Sequence, residues 1–159
     1  MGQDLYRARK RNLPVTDQLE ALSKAAGEVW TDTANLFWER YEDEEATVPT
    51  EYEMYGEICT GRGGPLGHRT QQATVKCFYT ALKSYTKRKD RNPHLRPPYK
   101  AKDRYKVWYK KDAMRVMAGD RLRLGNAQGT DPVLIDDWNW PKPARLEIGY
   151  ETSHYELRA

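Results

Sequence analysis

The stretch Arg104–Gly125, RYKVWYKKDAMRVMAGDRLRLG, decides the fold class. Its apolar residues alternate with cations instead of recurring every third or fourth position, and a two-residue period belongs to strands. A strand beginning near Arg104 sets Arg104, Lys106 and Trp108 on one face and Tyr105, Val107 and Tyr109 on the other. Met114–Met117 and Arg121–Leu124 then read as a hairpin over Ala118, Gly119 and Asp120. Farther on, PVLID (132–136) is another short run. Arg145–Tyr150 and His154–Arg158 make a second hairpin over the ETS of 151–153.

Upstream the texture differs. DLYRARK, Asp4 to Lys10, reads as a strand that stops before Pro14. Leu19, Leu22, Ala26, Val29, Trp30, Thr33, Leu36, Phe37 and Tyr41 keep the 3.6-residue period of an amphipathic helix capped by Thr16 or Asp17. Pro49 ends that segment. Thr50 and Glu53 form a capping box that opens a second helix carrying Tyr52, Met54, Tyr55, Ile58 and Cys59. After GRGGPLG (61–67), a third helix over 68–89 turns Val75, Phe78, Ala81, Leu82 and Tyr85 inward and Arg69, Gln72, Lys76 and Lys83 outward. The second and third helices have the spacing of a helix-turn-helix. The chain is therefore expected to be α+β: a small OB-like β-barrel or curved sheet with a three-helix insertion. Its parts are a first strand in 1–14, a helical unit in 15–92 and the remaining strands in 93–159.

Charge narrows the function. The net charge is only +4, but 31% of the 159 residues are charged, and the signs are segregated. Glu39, Glu42, Asp43, Glu44, Glu45, Glu51, Glu53 and Glu57 face Arg40 alone, a pattern read as a solvated helix face. Between Lys83 and Lys111 only Asp90 and Asp103 oppose a dense run of Lys and Arg, which points to a polyanion partner. No apolar run is long enough to span a membrane. The N-terminal MGQDLYRARKRNLP lacks a signal's apolar core, and Tyr6 stands where a myristoylation motif needs Ser or Thr. The expected location is cytoplasmic.

No chemistry-bearing cluster stands out. Cys59 and Cys77 are too few for a zinc knuckle or a disulfide scaffold. His68, His94 and His154 are far apart, and the adjacent Asp136 and Asp137 point away from one another. GRGGPLG lacks the Lys-Ser/Thr ending of a phosphate loop. The expectation is a protein without catalytic residues, metal or cofactor.

The basic strand suggests a binding role. Cations about 7 Å apart along a strand match the phosphate spacing of a nucleic acid. Trp108 can stack on a base. Gln71 and Gln72 on the third helix can pair with base edges. The competing reading is a solvated edge strand whose lysines discourage aggregation.

Taken together, RTQQATVKCFYTALKSYTKRK (69–89), PPYKAKDRYKVWYKKDAMRVMAGDRLRLG (97–125) and RLEIGYETSHYELRA (145–159) resemble the N-terminal part of TnpB. TnpB proteins are RNA-guided nucleases of insertion sequences, related to compact type V CRISPR effectors. The resemblance implies a wedge-type barrel with a helical recognition insertion, whose partners are guide RNA and target DNA. It implies that Arg69, Gln71, Gln72 and Lys76 face target-adjacent DNA. Arg7, Arg9, Lys100, Lys102, Arg104, Lys106, Trp108, Lys110 and Lys111 would hold RNA or heteroduplex backbone. The family's RuvC-like catalytic carboxylates and zinc module have no counterpart in these residues. The chain is then a piece of a longer protein, a natural split with a separate nuclease subunit, or a stand-alone binder. The alternative is a helix-turn-helix DNA-binding regulator that uses no RNA.

Overall fold

The computed structural model describes residues 9–98 and 101–159. Helix α1, Asp17–Glu42, begins where the Thr16 hydroxyl accepts the Leu19 N–H at 3.1 Å. Asp17 and Glu20 in its first turn complement the helix dipole. Leu19, Leu22, Ala26, Val29, Trp30, Thr33 and Phe37 form its buried stripe, whereas Tyr41 in the last turn leaves the core. Helix α2, Glu51–Cys59, has the expected capping box between Thr50 and Glu53. It buries Met54, Ile58 and Cys59, but Tyr52, expected among its apolar positions, lies in solvent. Helix α3, His68–Arg88, buries Val75 and Phe78 fully and Ala81, Leu82 and Tyr85 partly.

Among the described residues, seven strands pair antiparallel throughout: β1 Lys10–Leu13, β2 Val107–Lys110, β3 Met114–Met117, β4 Arg121–Leu124, β5 Val133–Ile135, β6 Arg145–Glu151 and β7 His154–Arg158. The β3–β4 hairpin falls on the expected residues. Gly119 supplies its turn with a φ of 82°, and Asp120 follows at 54°. The β6–β7 hairpin is tighter than expected, because Glu151 pairs with His154 and leaves only Thr152 and Ser153 in the turn. β1 reaches beyond the expected end at Lys10: Arg11, Asn12 and Leu13 pair with Leu157, Glu156 and Tyr155. Of the expected Asp4–Lys10 strand, Asp4 to Ala8 lie outside the described residues.

The strands form two ladders, β1-β7-β6-β2 and β3-β4-β5, and of the expected small barrel or curved sheet no closed barrel forms among the described residues. On one side the chain itself joins them, running from β2 through a 3-10 turn at Lys111–Ala113 into β3. On the other, no ladder forms among the described residues. There the Arg11 guanidinium donates to the carbonyls of Asp136 and Asp137. Inward residues of both sheets, among them Tyr109, Leu122, Leu124, Ile135, Leu146, Ile148 and Leu157, pack with the helical residues as one buried cluster.

A second departure concerns residues 101–106. The basic strand was expected to begin near Arg104, but β2 starts only at Val107. The backbone of 101–106 is strapped along α1 instead. Lys102 donates its N–H to the Thr31 hydroxyl at 3.0 Å, and Tyr105 donates to the Ser23 carbonyl at 3.1 Å. Gly27 makes the approach possible, since a Cβ there would lie 2.7 Å from the carbonyl oxygens of Lys102 and Asp103. Backbone groups satisfied by a helix have no need of a neighbouring strand.

Candidate nucleic-acid interface

The alternation read from the sequence holds within β2. Val107 and Tyr109 are buried, while Trp108 and Lys110 face outward and are half-buried. Register places Trp108 opposite Glu147 and Lys110 opposite Arg145. Lys106, just ahead of the strand, sets its ammonium 5.1 Å from the Trp108 ring centroid, and the Arg145 guanidinium lies 5.5 Å from the same ring. Each is within reach of a cation–π attraction.

Acids temper this array. Lys106 pairs with Glu147 at 3.5 Å. Arg104 binds Glu20 at 2.7 Å and lies over Tyr150 at 4.6 Å. The Tyr155 hydroxyl donates to the other Glu20 oxygen at 2.6 Å. Hydrogen bonds from Arg104 first, and from Tyr155, hold the Glu20 carboxyl below its ordinary range. Burial first, and the bond to Glu20, push the Tyr155 phenol up to about 12. Arg158 ties together Glu147, Glu151 and Glu156, and its hydrogen bond lowers the Glu156 carboxyl. Lys102 is occupied differently, 4.9 Å over Trp30 and 5.7 Å over Tyr105.

Two clefts open on this surface and share Glu147 and Arg158. One, of about 510 Å³, brings together Lys102, Arg104 and Lys106. The other, of about 660 Å³, brings Trp108 together with Arg9. Lys110 and Lys111 continue the basic surface, and neither has an acid partner among the described residues. Arg7 and Lys100 lie outside the described residues.

Lys76 is exposed, Arg69 pairs with Asp112 at 3.4 Å, and Gln72 meets the His68 ring nitrogen at 3.0 Å. Gln71 is not available to read a base edge. Only 3% of it is exposed, and its amide donates to the Leu66 carbonyl at 3.1 Å. It sits in the first turn of α3, where Gly67 offers no side-chain cap, so its amide fixes the incoming loop. That turns the helix face proposed for base reading partly into core.

Other cations escaped the sequence reading. Arg115 and Arg123 are direct cross-strand partners in β3 and β4, with no acid partner among the described residues. Like charges so placed repel, unless an anion bridges them. The RLRL alternation marks Arg121 and Arg123 as outward, but the pairing with Arg115 needs the hairpin register. Arg145 and Lys142 were also missed, because they lie far in sequence from the basic run.

No known family model matches this chain, and no curated protein does. The likeness to TnpB therefore rests on the residues quoted above. Among the described residues no group of His, Cys, Asp or Glu is arranged to hold a metal, and no helix is long and apolar enough to cross a membrane.

Proposed function

We propose that this chain binds guide RNA and helps recognise target DNA in a TnpB-like, type V CRISPR-related RNA-guided system, with nuclease chemistry supplied outside these residues. The observation that carries the reading is the outer face of β2, where an indole lies between two cations and beside Lys110. Cations bind phosphate and release counterions, while a ring accepts a stacked base. The two sheets, bridged by the 3-10 turn and by Arg11, would be an open form of a wedge barrel. Arg9, Lys102, Arg104, Lys106, Trp108, Lys110 and Lys111, with Arg7 and Lys100, would line the RNA side. Arg69, Gln72 and Lys76 would face DNA, without Gln71.

In this reading the ion pairs of Arg104, Lys106 and Arg158 shape the surface, and the cations without acid partners supply most of the salt-dependent affinity. Lys110→Ala with Lys111→Ala should lower the slope of log K against log salt for single-stranded RNA by about 1.4, at about 0.7 per lost phosphate contact. An unchanged slope across a potassium chloride series would make this face a solubility device.

A further inference from the structure

The larger cleft runs across the end of the four-stranded sheet, from Trp108 on β2 to Arg9 beside β1. Its far wall is the loop that leaves β5, and three fixed points hold that loop. The Trp138 N–H donates to the Asp120 carbonyl at 2.7 Å, and Arg11 binds the carbonyls of Asp136 and Asp137. Trp138 and Trp140 pack edge-to-face, with centroids 4.8 Å apart. Arg9 lies 4.6 Å over Trp140.

Three features of the cleft call for a ligand that is both flat and anionic. Arg9, Lys142 and Arg145 have no acid partner among the described residues, and Arg158, which also lines the cleft, is already bound to three acids. Among the described residues, Glu147 is the one acidic side chain in the lining. The second feature is polar. The Trp138 side chain is 2% exposed, yet its indole N–H has no acceptor among the described residues, and neither has that of Trp108. Buried donors of this kind ordinarily find a partner. The third is size: about 660 Å³ falls within the roughly 300–1,000 Å³ of small-ligand sites.

We infer that this cleft takes one unpaired nucleotide of a single-stranded RNA, its base against Trp108 and its phosphates on Arg145, Lys142 and Arg9. The inference rests on the RNA-binding reading above and specifies how one base leaves the stack. The stacked base displaces the Lys106 or Arg145 cation from the Trp108 face, freeing that charge for the phosphate.

The test compares two twelve-residue probes of equal charge, oligo-A RNA and an abasic ribose-phosphate strand, by fluorescence anisotropy. The wild-type protein should bind oligo-A at least about fivefold tighter, the lower end of what one base–aromatic stack contributes. Trp108→Leu should abolish the preference for oligo-A over the abasic strand. Arg145→Gln should weaken both probes. If both strands bind but the wild type shows no preference, or Trp108→Leu keeps it, the base site is refuted while RNA binding stands. If neither strand binds, the RNA reading and this inference fall together. Should Trp108→Leu not fold, photo-crosslinking of 5-iodouridine RNA to the wild type decides. Crosslinks on the Trp108 or Trp138 peptides are expected, and crosslinks confined elsewhere would overturn the assignment.

Discussion

Gly27 is where the fold presents its basic segment, and replacing it by Ala tests that arrangement. The added methyl would lie 2.7 Å from the Lys102 and Asp103 carbonyl oxygens, whereas ordinary contacts begin at 3.4 Å. The strap over 101–106 must therefore retreat by about 0.7 Å, the difference of those distances, or α1 must shift. Thr31 and Ser23 hold the strap by hydrogen bonds that the retreat would strain. Overpacking of this kind costs about 1–3 kcal/mol, and Ala returns up to about 1 kcal/mol through helix propensity. A net loss of up to about 2 kcal/mol should lower the melting temperature by up to roughly 8 °C for a chain of this size. Gly56→Ala is the control, because a Cβ there meets nothing within 4 Å in the interior of α2. It should raise stability by about 0.5–1 kcal/mol. Urea and thermal midpoints of the two variants should therefore move in opposite directions. If Gly27→Ala is as stable as the wild type while Gly56→Ala gains, the strap does not lie against α1.

Two further outcomes follow from the charges. The Glu20 and Glu156 carboxyls are lowered in the folded state, so their contribution is present above the ordinary value of 4.5 and is lost as pH falls through the lowered one. Glu20→Gln should accordingly flatten the fall of the urea midpoint below about pH 4.5; a slope identical to wild type would exclude the Arg104–Glu20–Tyr155 node as a contributor. Arg115→Glu should replace a cross-strand repulsion by an attraction to Arg123, raising stability by about 0.2–1 kcal/mol. The same change should weaken binding to any polyanion on that sheet, and paired urea titrations and RNA-binding isotherms would show whether the two effects oppose.

Local pattern carried much of the fold. The α1 stripe, the Thr50–Glu53 box and the β3–β4 hairpin each depend on neighbours within a few residues, and each is present. What eluded the pattern depends on distant partners. Residues 104–106 alternate like the start of a strand, but α1 offers their segment hydrogen bonds that no local signal announces. Gln71 looks like a surface amide until the Leu66 carbonyl is found beside it. A barrel and two bridged sheets share the same strand pattern, and only the unpaired β2–β3 and β5–β1 seams separate them. The basic run was legible as charge. The Glu20, Glu147 and Glu156 partners that temper it come from α1, β6 and β7. The Trp108 cleft likewise draws on segments more than a hundred residues apart, from Arg9 to Arg158.

The most direct measurement of the central claim is to purify the protein at moderate salt and sequence the nucleic acid it retains. The account predicts one discrete RNA species, released at high salt and lost in the Lys110→Ala, Lys111→Ala variant. A protein that emerges bare, and binds a defined duplex DNA site in the absence of RNA, would contradict it.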